Sequence, residues 1–148
     1  MARGIKMRLM GLDVGERTIG VAVSDPFGWT AQGITTIRRA ETIDNDLKQL
    51  KDLVMKYQVT QIVVGLPKNM NGTLGPAAER CQNMADILRE STGLPVILWD
   101  ERLSTMAAER ALLEGNISRK KRKRVIDKMA AVIILQGYLD FQQKNKNN

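Results

Sequence analysis

The chain has 148 residues, 43% of them hydrophobic and 26% charged, enough to bury one core but not to hold two nucleotide-sized domains. It contains no histidine and one cysteine, Cys81. Imidazole-based triads, Cys-His pairs, H-E-x-x-H zinc sites, multi-cysteine clusters and an internal disulfide are therefore excluded. The formal charge of +7 points to a polyanion, either nucleic acid or an acidic membrane surface, and residues 119–124 hold six of those charges, leaving +1 elsewhere. No apolar run approaches the roughly 18 residues of a membrane span. The start, MARGIKMRLM, lacks a long apolar segment and a cleavage site, so a cytoplasmic protein without a membrane partner is expected, as one domain over residues 1–148.

Residues 7–13 and 18–24 are two apolar, β-branched runs joined by Gly15-Glu16-Arg17, the pattern of an antiparallel hairpin, and a third strand is expected at 32–38. Over residues 42–57 the period changes: Ile43, Leu47, Leu50, Val54 and Tyr57 recur at helical spacing. The run QIVVGLP is continuously apolar until Pro67 stops it, as in a central strand covered on both faces. Pro76 opens a second helix, whose inward face reads Ala77, Cys81, Met84 and Leu88, and Gly93 closes it. PVILW is another central strand. Ser104 caps a further predicted helix that ends at Gly115-Asn116, and residues 125–141, apolar almost all round, predict a final helix after the basic run. This order argues for an α/β fold with one mixed five-stranded sheet, three antiparallel strands and then parallel ones, with helices on both faces.

Three acidic positions sit where acids are costly. Asp13 is near the end of the first strand, Asp100 and Glu101 end the PVILWDE strand, and Asp127 falls in the first turn or two of the apolar final helix. Each alone is explained by turn formation or by a helix dipole. Together they fit the rule that open α/β sheets gather ligands at the carboxyl ends of their strands. Converging carboxylates repel unless a cation joins them, and an all-oxygen donor set selects a hard ion, Mg²⁺ or Mn²⁺. Such an ion supplies what the missing histidine cannot, an activated water near neutral pH. Adjacent strand residues point to opposite faces, so at most one of Asp100 and Glu101 reaches such a site, and alternation leaves open which.

The segments GLDVGERTIGVAVSD, VVGLPKNMNGTLGPAAE, DERLST and VIDKMAAVIIL resemble, in order, the signature blocks of the YqgF family of RNase H-like proteins, the RuvX-type Holliday-junction resolvases. The resemblance spans residues 11–135 and implies an RNase H-like fold and a cytoplasmic nuclease associated with maturing the 5′ end of pre-16S rRNA. It puts catalytic, metal-binding roles on Asp13, Glu101 and Asp127. Related junction resolvases carry a second aspartate three residues further along the last helix, where this chain has Ala130.

Candidate nucleic-acid contacts are Lys68 and Asn69 beyond the fourth strand, Arg102 of DER, and the run Arg119, Lys120, Lys121, Arg122, Lys123 and Arg124. If all six charges of the run met phosphates, the log–log salt slope would be about −4 on a single strand and about −5 on duplex DNA. With two Trp, two Tyr and two Phe, a stacking platform is not expected. The leading expectation is a Mg²⁺-dependent nuclease of structured RNA, monomer or homodimer, with pre-rRNA the favoured partner. The alternatives are a dimeric resolvase of branched DNA, a nucleotide-dependent phosphotransferase, disfavoured by the missing P-loop, and a non-catalytic RNA- or ribosome-binding factor.

Overall fold

The structure is a computed structural model that describes residues 8–69, 71–103 and 119–146, with side chains in the last segment from Lys128 to Asn145. The strands are β1 (Arg8–Val14), β2 (Thr18–Ser24), β3 (Ala31–Arg38), β4 (Val59–Leu66) and β5 (Val96–Asp100). The helices are α1 (Ile43–Lys56), α2 (Pro76–Thr92) and α3 (Arg119–Lys146), and a single 3-10 turn, Glu101–Leu103, follows β5. The sheet order is β3-β2-β1-β4-β5. The pairs β1–β2 and β2–β3 are antiparallel, whereas β1–β4 and β4–β5 are parallel. This is the expected RNase H-like mixed sheet.

Strand alternation divides the core between two faces. Met10, Leu12, Val14, Ile62 and Val64 pack against Leu50 of α1 and against Ala78, Cys81, Ala85 and Leu88 of α2. Leu9, Ala22, Val63 and Trp99 pack on the other face against Ala130, Ala131, Ile134 and Leu135 of α3. Both faces of β1 and β4 are covered, which is why these strands read as unbroken apolar runs. Pro76 opens α2, and Gly93 closes it in the left-handed region at φ 72, donating its N–H to the Arg89 carbonyl at 3.0 Å.

Several boundaries and faces differ from expectation. Ile43 is exposed, because α1 turns toward the sheet only from Asp46 and Leu50 onward. Ala77 is half-buried, while the buried stripe of α2 runs through Ala78 and Ala85 with Cys81, Met84 and Leu88. The final helix does not start at 125: residues 119–124 are its first described turns, in keeping with the high helix propensity of Arg and Lys. Asp127 therefore stands in the third described turn, not the first or second. The predicted helix from Ser104 to Gly115-Asn116 lies outside the described residues.

The approach of α3 is governed by missing side chains. Gly11 pairs with Ala22, and Ala22 with Gly33, so a row of minimal residues crosses three strands. A Cβ at Gly11 would lie 2.6 Å from the Leu135 Cβ and 3.1 Å from the Ala131 carbonyl oxygen, both close to the helix backbone. Among the described residues no helix is long and apolar enough to cross a membrane. Gly11→Ala should push α3 off the sheet and cost about 1–3 kcal/mol, the usual range for overpacking. In urea denaturation this is a lower midpoint at unchanged slope; a wild-type midpoint would show that the close approach carries no energy.

Candidate active site

Asp13 is the penultimate residue of β1 and shares its parity with Leu9 and Gly11, so it belongs to the face that α3 covers. It follows Leu12, the partner of Val64, just as Gly65 follows Val64 on β4. Asp13 and Gly65 are thus neighbours across the β1–β4 pair. Gly65 in turn pairs with Trp99 on β5. Glu101 continues the parity of Ile97 and Trp99, both on the α3 side. Its carboxylate lies over Gly65: a Cβ built there would stand 2.7 Å from the Glu101 Oε1 and would also strike Ile134. A glycine inside a continuously apolar strand is the signal that a neighbour comes close, and Gly65 is a part of the site that the sequence reading passed over.

The two adjacent acids differ in position. Asp100 has the opposite parity and is held by two cations. The Arg102 backbone N–H donates to Asp100 Oδ1 at 2.9 Å, and the Arg102 guanidinium donates to both Asp100 oxygens at 2.9–3.2 Å. Lys68 Nζ stands 3.7 Å from Asp100 Oδ2. Hydrogen bonds from the Arg102 side chain, chiefly, hold the Asp100 carboxyl below the usual range, even against its partial desolvation. Asp100 anchors the neighbouring loops, and Glu101 lies over Gly65.

Both carboxylates act on a third group. Burial, first, and then the charges of Glu101 and Asp13 push the Cys81 thiol up to about 12, partly offset by Arg80. A thiol so protonated is no nucleophile, which fits the expectation that Cys81 is a core residue. Its Sγ lies 3.7 Å from the Val14 carbonyl.

The remaining candidates are placed as follows. The Asn69 amide donates to Thr73 Oγ1 at 2.9 Å and its backbone N–H to the Thr73 carbonyl at 2.9 Å, so this side chain helps to close the 69–73 loop. Arg102 also passes 3.6 Å from the Cβ position of Gly72, where φ is +86, tying that loop to the end of β5. Asp127 belongs to α3, four residues before Ala131. Its side chain, and those of Arg119, Lys120, Lys121, Arg122, Lys123 and Arg124, lie outside the described residues. Among the described residues two predicted acids, Asp13 near the end of β1 and Glu101 just past β5, lie at one end of the sheet, and no three His, Cys, Asp or Glu side chains form a metal-sized group. Phe27 and Trp29 are exposed on the β2–β3 turn, at the other end of the sheet from Asp13.

Because the folded Asp100 carboxyl titrates below its unfolded value, its contribution is present above about pH 4 and is lost as pH falls through the folded value. Asp100→Asn should therefore lower stability at pH 6 and reduce the stability that is lost on acidification to pH 3. Parallel pH profiles of wild type and variant in denaturant melts would refute the assignment.

Comparison with known proteins places this geometry. Residues 7–141 match the family model described as RuvX: Holliday junction resolvase. A protein of Desulfitobacterium hafniense named "Putative pre-16S rRNA nuclease" is 63% identical over 143 residues, 96% of this chain and 99% of that protein. A Clostridium tetani protein of the same name is 58% identical over 134 residues, 90% of this chain and 96% of that one. Among solved structures, Thermus thermophilus RuvC in complex with a Holliday junction substrate superposes with a TM-score of 0.61 at 12% identity, covering 93% of this chain and 96% of RuvC. The yeast mitochondrial Holliday junction resolvase Ydc2 gives 0.58 at 13%, covering 96% and 81%. These two likenesses speak for the fold. On the family match over residues 7–141 and the similar relatives, the chain belongs to the RuvX family of Holliday junction resolvases and is a nuclease.

Proposed function

We propose that this chain is a single-domain, divalent-metal-dependent ribonuclease of the cytoplasm that trims structured precursor RNA, in particular the 5′ end of pre-16S rRNA during ribosome biogenesis. What supports the reading is that Asp13 and Glu101 lie at one end of the sheet on either side of the side-chain-free Gly65, in a chain more than half identical to relatives named "Putative pre-16S rRNA nuclease". Two half-buried carboxylates at one end of a sheet repel each other, and a hard dication would relieve that repulsion. The donor chemistry fits Mg²⁺ or Mn²⁺: all oxygen and no histidine, with the Glu101 carboxylate laid over the side-chain-free Gly65. Asp13 and Glu101 would hold the ion, with Asp127 the third carboxylate from α3. An ion held there supplies Lewis acidity toward a phosphodiester and an acidified water.

The protein's own groups have separate tasks in this reading. Asp13 and Glu101 orient the ion. α3 covers the face behind them with Ala131, Ile134 and Leu135 and keeps water from the strands below. Lys68 and Arg102, beside the carboxylates but paired with Asp100, stand where an entering phosphate can compete for them. The six cations at the beginning of α3 add long-range attraction for a polyanion.

The family description favours a second reading, cleavage of four-way DNA junctions. Against it stands Ala130, the position of the resolvases' additional aspartate, which here is buried in the α3–sheet packing. A junction resolvase also needs two copies for paired cuts.

The two readings separate in one experiment, the cleavage of pre-16S rRNA and of a four-way DNA junction with and without Mg²⁺. RNA cleavage is expected, abolished by chelation. Asp13→Asn and Glu101→Gln should each lower the rate by more than about a hundredfold while RNA is still bound, since even residues that merely orient a metal's ligands cost about 10–100-fold. Asp100→Asn should keep most activity. Undiminished cleavage by Asp13→Asn would remove the proposal, and junction cleavage alone would replace it with the second reading.

A further inference from the structure

We propose that Arg17 and Arg38 form a second phosphate-binding subsite, on the β3 side of the carboxylates, which grips the substrate strand one or two nucleotides from the bond that is cut. This rests on the nuclease reading and adds to it a part of the surface that none of the predicted contacts includes.

Placement carries the argument. Asp13 pairs with Gly20, and Gly20 with Thr36, so one row runs from the catalytic strand to the edge strand. Arg38 lies two residues further along β3 and pairs with Thr18. Thr18, Gly20 and Ala22 share one parity on β2, and Ala22 packs against α3. Arg38 therefore belongs to the same sheet face and the same sheet end as Asp13. Two strand spacings of about 4.8 Å and two residues of about 3.4 Å put its Cα about 12 Å from that of Asp13. Arg17 precedes Thr18 at the hairpin tip, beside Arg38, and its carbonyl accepts the Arg39 N–H at 2.8 Å, locking the tip to the end of β3.

The local charges are already sorted. Arg17 and Arg38 line an open cavity of about 560 Å³ at this corner, with Arg39, Glu16, Glu41 and Asp46. Arg39 is spent inside the fold: its Nε meets the buried Asp46 at 3.0 Å and its guanidinium donates to the Gly15 carbonyl at 3.0 Å. Glu16 is drawn to Arg80, 3.7 Å away. Among the described residues no carboxylate stands within ion-pair distance of Arg17 or Arg38. Two exposed guanidinium forks, in no ion pair with a described residue, thus stand on this corner, where Glu41 also lines the cavity. Such forks suit bidentate contact with phosphate oxygens. A strand whose cut bond sits at Asp13 would reach this corner over Gly20 and Thr36, small side chains that leave the path low.

The test uses a fluorescein-labelled single-stranded oligoribonucleotide, bound to the full chain carrying Asp13→Asn in Mg²⁺ and titrated over a range of salt. Adding Arg38→Ala should weaken binding and flatten the log–log salt slope by about 0.7, and Arg17→Ala with Arg38→Ala by about 1.4, one phosphate contact each. Arg38→Lys keeps the charge and should restore the slope. Lys56→Ala, at the far end of α1, should leave it unchanged. In the otherwise wild-type protein, Arg38→Ala should raise KM for precursor RNA with kcat unchanged. An unaltered slope in the double variant, or equal flattening by Lys56→Ala, would overturn the subsite while leaving the nuclease reading intact. If the Asp13→Asn protein binds no RNA while the wild-type protein cuts four-way DNA, the ribonuclease reading falls and this subsite with it.

Discussion

The architecture depends on how closely α3 can lie on the sheet, and that distance is set by atoms that are not there. Gly11, Ala22 and Gly33 form a row across β1, β2 and β3 in which the largest side chain is one methyl group. Into the space above Gly11 come the Leu135 Cβ and the Ala131 carbonyl, and above Gly33 the aliphatic stem of Lys128. Dense packing there buries Leu9, Val63 and Trp99 from one side and Ile134, Leu135 and Leu139 from the other. At roughly 25 cal/mol per Å² of apolar surface, such a seam outweighs the few tenths to 1 kcal/mol that each strand glycine costs in chain entropy. The glycines hold the helix down, and the helix makes the carboxylate face a half-enclosed one.

Gly65 extends the same logic to chemistry. It pairs with Trp99, and without a Cβ it leaves room for both the end of the Ile134 side chain and the Glu101 carboxylate. A strand-end acid is thereby folded back over the sheet instead of into water. Its neighbour Asp100, one residue earlier and on the opposite parity, takes the structural duty of binding Arg102 and Lys68. Two consecutive acids with opposite parity thus have different surroundings, Asp100 beside Arg102 and Lys68 and Glu101 over Gly65.

Much of this was legible in the sequence because it depends on period and punctuation. The hairpin, the central strands and the capped second helix follow from alternation, unbroken apolar runs, Pro76 and Gly93, and each formed within a residue or two. The apolar pattern starts the final helix only after the basic run, at 125, yet Arg and Lys are good helix formers and α3 takes them in. The side-specific parts were not legible. Asp100 and Glu101 differ only in parity, which needs the register of β5 against β4, and the Arg39–Asp46 pair needs the packing of α1 against the end of β3. Gly65 looked like one more residue of an apolar strand until its neighbours were known.

The question raised by an aspartate inside GLDVGERTIGVAV becomes one of geometry. Asp13 is only half-buried, because it stands at the strand's end, where the row across the sheet continues through Gly20 and Thr36 toward the open edge. One residue earlier, at Leu12, a carboxylate would be sealed in the fully buried core with α1 and α2. One residue later, at Val14, it would point to the same closed side. Position 13 is therefore the point in β1 where alternation gives the α3 face and the strand end gives access to water or an ion. A chain without histidine must put its charged chemistry at such a place, since carboxylates keep their charge only where solvent or a cation can reach them.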